Sequence, residues 1–118
     1  MNPSFDTPEM LEAFSKIESG DYAAAVKLLI PLAAEGNPRA QCNLADLYAM
    51  GLGVEMDGAK AVELYRQVAE QNIDEQFLSA LAYNSLAGLY LVGHPGFAPD
   101  PVKAKECRRL SKKLGFPM

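Results

Sequence analysis

The chain repeats itself, and a repeat this short dictates a stacked architecture before any composition is counted. Residues 40–51 read AQCNLADLYAMG and residues 82–93 read AYNSLAGLYLVG. Ala40, Leu44, Ala45, Leu47, Tyr48 and Gly51 return as Ala82, Leu86, Ala87, Leu89, Tyr90 and Gly93, all at one constant offset. The segments that follow repeat as well. Residues 57–72 align with 21–37 through Asp57/Asp21, Ala61/Ala25, Val62/Val26, Leu64/Leu28 and Ala69/Ala33, and more loosely with 100–115 through Asp100, Lys103 and Ala104. The unit is therefore a pair of segments, A then B, present in two and a half to three copies. A unit of this size cannot bury its apolar stripe alone, so neighbouring units must stack to make one core.

Both segments carry helical spacing. Ala40, Leu44, Leu47 and Tyr48 fall at i, i+4, i+7 and i+8, and Ala61, Leu64, Tyr65, Val68 and Ala69 mark a similar stripe in B. Start signals agree: Asp57 and Asp100 are placed to cap helices, Pro101 suits a first helical position, and Thr7-Pro8 and Asn37-Pro38 start two A helices. Gly36, Asn72 and Gly115 fall where helices end in a left-handed residue. The spacing predicts six helices, at about 8–19, 22–35, 38–50, 58–71, 75–92 and 101–114. The fifth is lengthened by residues 73–81, and the loops within successive pairs grow longer along the chain. Small residues at Ala40, Ala45, Ala61, Ala69, Ala82 and Ala87 alternate with Leu and Tyr, as close packing of antiparallel helices requires.

The run from Ala40 through Leu44-Ala45-x-Leu47-Tyr48-x-x-Gly51-x-Gly53-Val54-x-x-Asp57-x-x-Lys60-Ala61-x-x-Leu64-Tyr65 to Ala69 resembles the Sel-one-like repeat family, a relative of the tetratricopeptide repeat. The third copy keeps helix A but replaces the family's loop with residues 93–99, GHPGFAP. The first, with Gly20-Asp21-Tyr22-x-x-Ala25, looks more like the tetratricopeptide turn. The resemblance covers roughly residues 8–115. It implies a right-handed α-solenoid of about three helix pairs, read here as a single repeat domain over 1–118 with units of about 8–36, 37–73 and 74–115. It also implies an adaptor or scaffold, of a kind common in bacteria, that offers a concave surface to protein or peptide partners.

Composition narrows the function. The net charge of −4 argues against nucleic acid, whose binding rests on neutralising phosphates. The charge is uneven: residues 1–99 carry 5 basic and 13 acidic side chains, residues 100–118 carry 6 and 2. No apolar run is long enough to span a bilayer, and residues 1–6 lack the basic start and apolar stretch of a secretory signal, which points to a cytoplasmic protein. Cys42 and Cys107 are too few for a disulfide framework or a zinc site and read as small core residues.

Catalysis requires converging polar groups. The single histidine, His94, sits in a Pro/Gly-rich loop without a partner at usable spacing, and Gly51-x-Gly53 lacks the preceding strand and the Lys-Ser/Thr of a phosphate loop. The acidic group Glu70, Asp74 and Glu75 at a helix junction reads as ordinary helix-dipole partners. We expect no enzyme, no cofactor and no metal; a small hydrolase using Cys42 or His94 is the least favoured alternative.

Two surfaces remain. If the A helices line the inner face, Arg39, Asn43, Asp46 and Met50 point into the groove, as do Leu81, Ser85, Gly88 and Val92 at the same offset. Met50, Leu81 and Val92 would then form an apolar strip suited to a peptide, unless the lengthened fifth helix turns and buries it. In the last helix, Lys105, Arg108, Arg109 and Lys112 fall on one basic face opposite Ala104, Cys107, Leu110 and Leu114. That face is either a polar cap or a dock for an acidic partner, including a second copy of the chain in a homodimer or a longer head-to-tail assembly. A related alternative is a self-assembling structural protein whose solenoid ends pair through apolar surface.

Overall fold

The computed structural model describes residues 7–71, 76–94 and 97–115. Six helices follow one another: α1 (Pro8–Glu18), α2 (Tyr22–Ala34), α3 (Pro38–Met50), α4 (Gly58–Glu70), α5 (Gln76–Val92) and α6 (Pro101–Lys113). Each boundary lies within a residue or two of the periodicity reading. No strand forms among the described residues beyond an isolated bridge between His94 and Phe97.

The starts are chemically fixed. Thr7, Asn37, Asp57 and Asp100 each accept a backbone N–H from the first turn of the helix they precede, as does Asp21 for α2. Pro8, Pro38 and Pro101 occupy first positions, where a missing N–H costs nothing. Gly36 and Gly115 leave their helices left-handed, at φ +92° and +97°. The expected end signal at Asn72 lies outside the described residues, as do Ile73, Asp74 and Glu75 in the lengthened junction.

Consecutive helices pack on one another along the whole chain, giving an all-α solenoid of three helix pairs. Two core clusters run through it, with the half-buried Tyr48 and Leu64 packed against both. Met10, Ala13, Ala25, Val26, Leu29, Leu32, Ala40, Leu44 and Leu47 join the first pair to the back of α3. Cys42, Ala45, Ala61, Tyr65, Val68, Leu78, Ala82 and Leu86 join α3 and α4 to α5. Helix α3 therefore serves both neighbours: Leu44 and Leu47 face back, Cys42 and Ala45 face forward. Buried polar groups stitch the same seams. The Gln41 amide donates to the Ala33 carbonyl (3.1 Å) and to Gln67 (3.1 Å), and accepts from Gln71 (2.6 Å). Ser79 donates to the Val68 carbonyl and Ser111 to the Ala80 carbonyl. Each satisfies a group whose burial without a partner would cost about 1–3 kcal/mol.

The loops that turn A into B differ in sequence yet close alike. The Asp57 N–H donates to the Tyr48 carbonyl (2.9 Å), and the Asp100 N–H donates to the Tyr90 carbonyl (2.6 Å). Lys60 then lies over the Tyr48 ring and Lys103 over the Tyr90 ring, at 5.4 and 5.5 Å. What differs is how each loop seats on the preceding unit. In the second copy, Gly53 (φ +76°) presses against the backbone of Tyr22, where an added Cβ would stand 2.5 Å from a carbonyl carbon. In the third copy the glycine has changed sides. Gly58, the first residue of α4, leaves room for His94, whose Cβ would lie 2.4 Å from a Cβ at position 58.

Candidate functional site

Helices α3 and α5 touch directly, whereas the B helices α2, α4 and α6 come less close to each other. Open grooves lie between them: one of about 350 Å³ over Leu44, Tyr48 and Leu64, and one of about 300 Å³ over Leu86, Tyr90 and Cys107. The expected groove residues lie on one face of each of α3 and α5, the two A helices in direct contact.

Along that face the eight residues separate into two kinds. Met50 and Val92 are 55% and 74% exposed, and Gly88 is exposed as well. Arg39, Asn43, Asp46, Leu81 and Ser85 are half-buried. The apolar strip is therefore a pair of exposed side chains with Leu81 partly tucked in: the longer α5 begins its core contacts early, at Leu78 and Ala82, and draws Leu81 down with them.

Asp46 is not a free groove carboxylate. Tyr65 reaches through from α4 and its hydroxyl donates to the Asp46 side chain, while Ser85 hydrogen-bonds the same phenol from α5. The sequence reading placed Tyr65 on a packing stripe and missed this role. The signal was present: the equivalent position in the first copy is Leu29, fully buried, and a tyrosine in such a place needs a partner for its hydroxyl. Burial raises the Asp46 carboxyl above its ordinary range, against the opposing pull of the Tyr65 bond. It raises the Tyr65 phenol as well, with the Asp46 charge adding to the effect.

Cys42 adjoins this cluster. Burial, and then the Asp46 charge, push its thiol up to about 12, with Arg39 pulling the other way. Such a sulfur is a protonated core group at neutral pH, the opposite of an activated nucleophile. Cys107 is also raised, first by burial. Both thiols are free. His94 is half-buried, stacks on Phe97 at 6.0 Å and seats the loop on Gly58; its Nδ1 has no hydrogen-bond partner among the described residues. Among the described residues no three His, Cys, Asp or Glu side chains converge to hold a metal, and no helix is long and apolar enough to cross a membrane. Two members of the Glu70–Asp74–Glu75 group lie outside the described residues.

In α6 the amphipathic division holds. Ala104 and Cys107 are buried, Leu110 and Leu114 half-buried, while Lys105, Arg108, Arg109 and Lys112 are exposed. Arg109 is engaged by Glu106 on its own helix at 2.7 Å. Ser111, absent from the sequence reading of this face, is the helix's fully buried anchor.

One contact shows how the three pairs differ. Aligning A helices on Ala13, Ala45 and Ala87, and B helices on Ala25, Ala61 and Ala104, matches Phe14 with Asp46 and Gly88, and Leu29 with Tyr65 and Arg108. In the first pair Phe14 packs into the cluster that holds Leu29, and in the second Asp46 accepts from Tyr65. In the third, Arg108 is exposed and an added Cβ at Gly88 would meet nothing within 4 Å.

Comparison with known proteins agrees with this architecture. The family model of the Sel1 repeat matches residues 38–73 and 80–116. Among solved structures, a Sel1 repeat protein from Oxalobacter formigenes superposes with a TM-score of 0.64 at 28% identity. The similarity covers 77% of this chain but 34% of that one, so the chain spans about a third of that protein's length. No curated protein matches significantly in sequence. With the family model covering more than half the residues and the helix pairs stacked as that model requires, the chain belongs to the Sel1 repeat family.

Proposed function

We propose that the chain is a protein-interaction module that holds a protein or peptide against the inner face of its A helices, through Arg39, Asn43, Asp46, Met50, Leu81, Ser85, Gly88 and Val92. Sel1 repeats generally mediate protein interactions, and the family is typically a non-catalytic scaffold. The observation that carries the reading is the exposure of Met50 and Val92 at the same register on successive A helices, beside half-buried polar residues. Large apolar side chains held in water at a repeat spacing favour an apolar partner, and methionine adapts its shape to one. The half-buried Asn43, Ser85 and Arg39 supply polar groups to fix its orientation. An extended segment or one face of a helix fits such a strip.

The part is an adaptor's, with no catalytic step. Units of about 8–36, 37–73 and 74–115 are the pieces from which the inner face is built. Two buried free thiols accord with a reducing compartment such as the cytoplasm, and the bacterial neighbour accords with a bacterial source. Affinity capture with the unmodified chain, set beside a Met50→Glu, Val92→Glu variant, tests the surface. The variant is expected to lose the captured partner while its helical signal persists; retention of the same proteins at the same yield assigns binding elsewhere.

A further inference from the structure

The two end faces of the stack carry opposite charge at the positions that interior pairs use to join. In α4 the residues facing the next A helix are Val62, Tyr65 and Ala69, all packed against the cluster that includes Leu78, Ala82 and Leu86 of α5. Their matches in α6, one offset later from the shared Asp57/Asp100 and Ala61/Ala104, are Lys105, Arg108 and Lys112, with Arg109 matching Arg66. At the other end, Gln41, Leu44 and Leu47 turn α3 back onto the preceding pair and are buried. Aligned on Ala13 and Ala45, their matches in α1 are Glu9, Glu12 and Ser15, all exposed. The apolar ends that self-assembly by hydrophobic pairing would need are thus replaced by a basic face on α6 and an acidic one on α1.

From this we infer that a second copy of the chain docks head to tail, its α1 taking the place of a further A helix on α6, with Glu9 and Glu12 meeting Lys105, Arg108 and Lys112. Several features make the second copy the occupant. Lys105, Arg108 and Lys112 form no ion pair among the described residues, whereas Arg109 is already satisfied by Glu106. Gly88 leaves open space where, one pair earlier, Asp46 supplies a carboxylate to the group at the Arg108 position. An incoming carboxylate fills that vacancy. The only other charge on α1 near its acidic face is the half-buried Lys16, and α6 carries six basic residues against Glu106 alone. An interface that joins two different faces propagates into rings or open chains instead of stopping at a symmetric pair. Because the contacts are exposed and ionic, they weaken as salt screens them.

Sedimentation velocity over a concentration series tests this with the unmodified chain. Association is expected at about 20 mM salt and is expected to weaken roughly tenfold or more by about 500 mM, where the screening length falls to about 4 Å. Two charge-reversed variants, Glu9→Lys with Glu12→Lys and Arg108→Glu with Lys112→Glu, should each be monomeric alone and should associate when mixed, since each then offers the other a complementary end. All four positions are exposed, so helical content should be unchanged. A chain monomeric at every concentration in low salt, or variants that associate alone as the unmodified chain does, overturns the inference. Loss of partner capture in the Met50→Glu, Val92→Glu variant bears only on the inner face and leaves this readout untouched.

Discussion

Replacing Gly58 with alanine should destabilise the protein, although alanine is ordinarily the better helix residue. The new Cβ would stand 2.4 Å from the Cβ of His94 and 2.6 Å from its Cγ, where carbon atoms rest at about 3.5–4.0 Å. The two colliding Cβ atoms are bound directly to backbone, so no rotamer change relieves their overlap; a segment must move by about 1 Å. The loop that would have to yield is tied by the paired His94 and Phe97 backbone bonds, at 3.2 and 3.0 Å. Overpacking of this kind costs about 1–3 kcal/mol, against a gain of at most about 1 kcal/mol from helix propensity, which is smaller at a first position. The net loss is about 1–2 kcal/mol, a drop of roughly 3–10 °C in melting temperature for a domain of this size. Thermal denaturation followed by circular dichroism reads it directly. In a His94→Gly background the collision disappears, and the same Gly58→Ala change should become neutral or stabilising. Gly88→Ala gives the contrast, an exposed helical site with nothing within 4 Å, where alanine should stabilise by up to about 1 kcal/mol. A Gly58→Ala protein that melts at or above the unmodified temperature refutes the reasoning.

Two further outcomes follow from the core and from its buried carboxylate. Ala45→Leu and Ala61→Leu, at positions with no exposed surface, should each cost about 1–3 kcal/mol; unchanged urea midpoints for both would show that the helices have slack the packing does not suggest. Asp46, whose carboxyl is raised by burial, binds a proton more readily folded than unfolded, so its contribution is fully present below the ordinary carboxylate range and is lost as pH rises through the raised value. Asp46→Asn keeps an acceptor for Tyr65 without the charge, so its stability relative to the unmodified chain should improve as pH rises above the ordinary carboxylate range; a pH-independent difference in urea midpoint would contradict the assignment.

The helices were legible because their signals are local. A cap at Asn37 and a stripe such as Leu44, Leu47 and Tyr48 report on the neighbouring turn of the same chain, and no distant residue is needed to interpret them. Capping at Thr7, Asp57 and Asp100 was legible for the same reason. The exposure pattern along α3 and α5 was legible only in part. Exposure at Met50 and Val92 follows from helical register, but the half-burial of Leu81 depends on how α5 packs along its neighbours, which no local pattern encodes. The link from Tyr65 to Asp46 and Ser85 spans three helices, and the seat of His94 on Gly58 joins two loops' worth of geometry. Such contacts depend on the superposition of units, which periodicity does not encode. The basic face of α6 was visible as a pattern, but only the packing of α4 against α5 shows that its residues match the positions by which an interior pair joins the next.

The chemistry at one matched contact changes from pair to pair: phenylalanine with leucine, aspartate with tyrosine, glycine beside an open arginine. Near-identical units in one chain invite exchange, because any A helix could settle on any B helix during folding. Here a swapped partner is penalised at once. Asp46 set against Leu29 would bury a carboxylate without a donor, and Phe14 set against Tyr65 would leave a buried hydroxyl without its carboxylate acceptor. The contact therefore works as an address, and the order of the units is written into their incompatibility as well as into the chain that connects them.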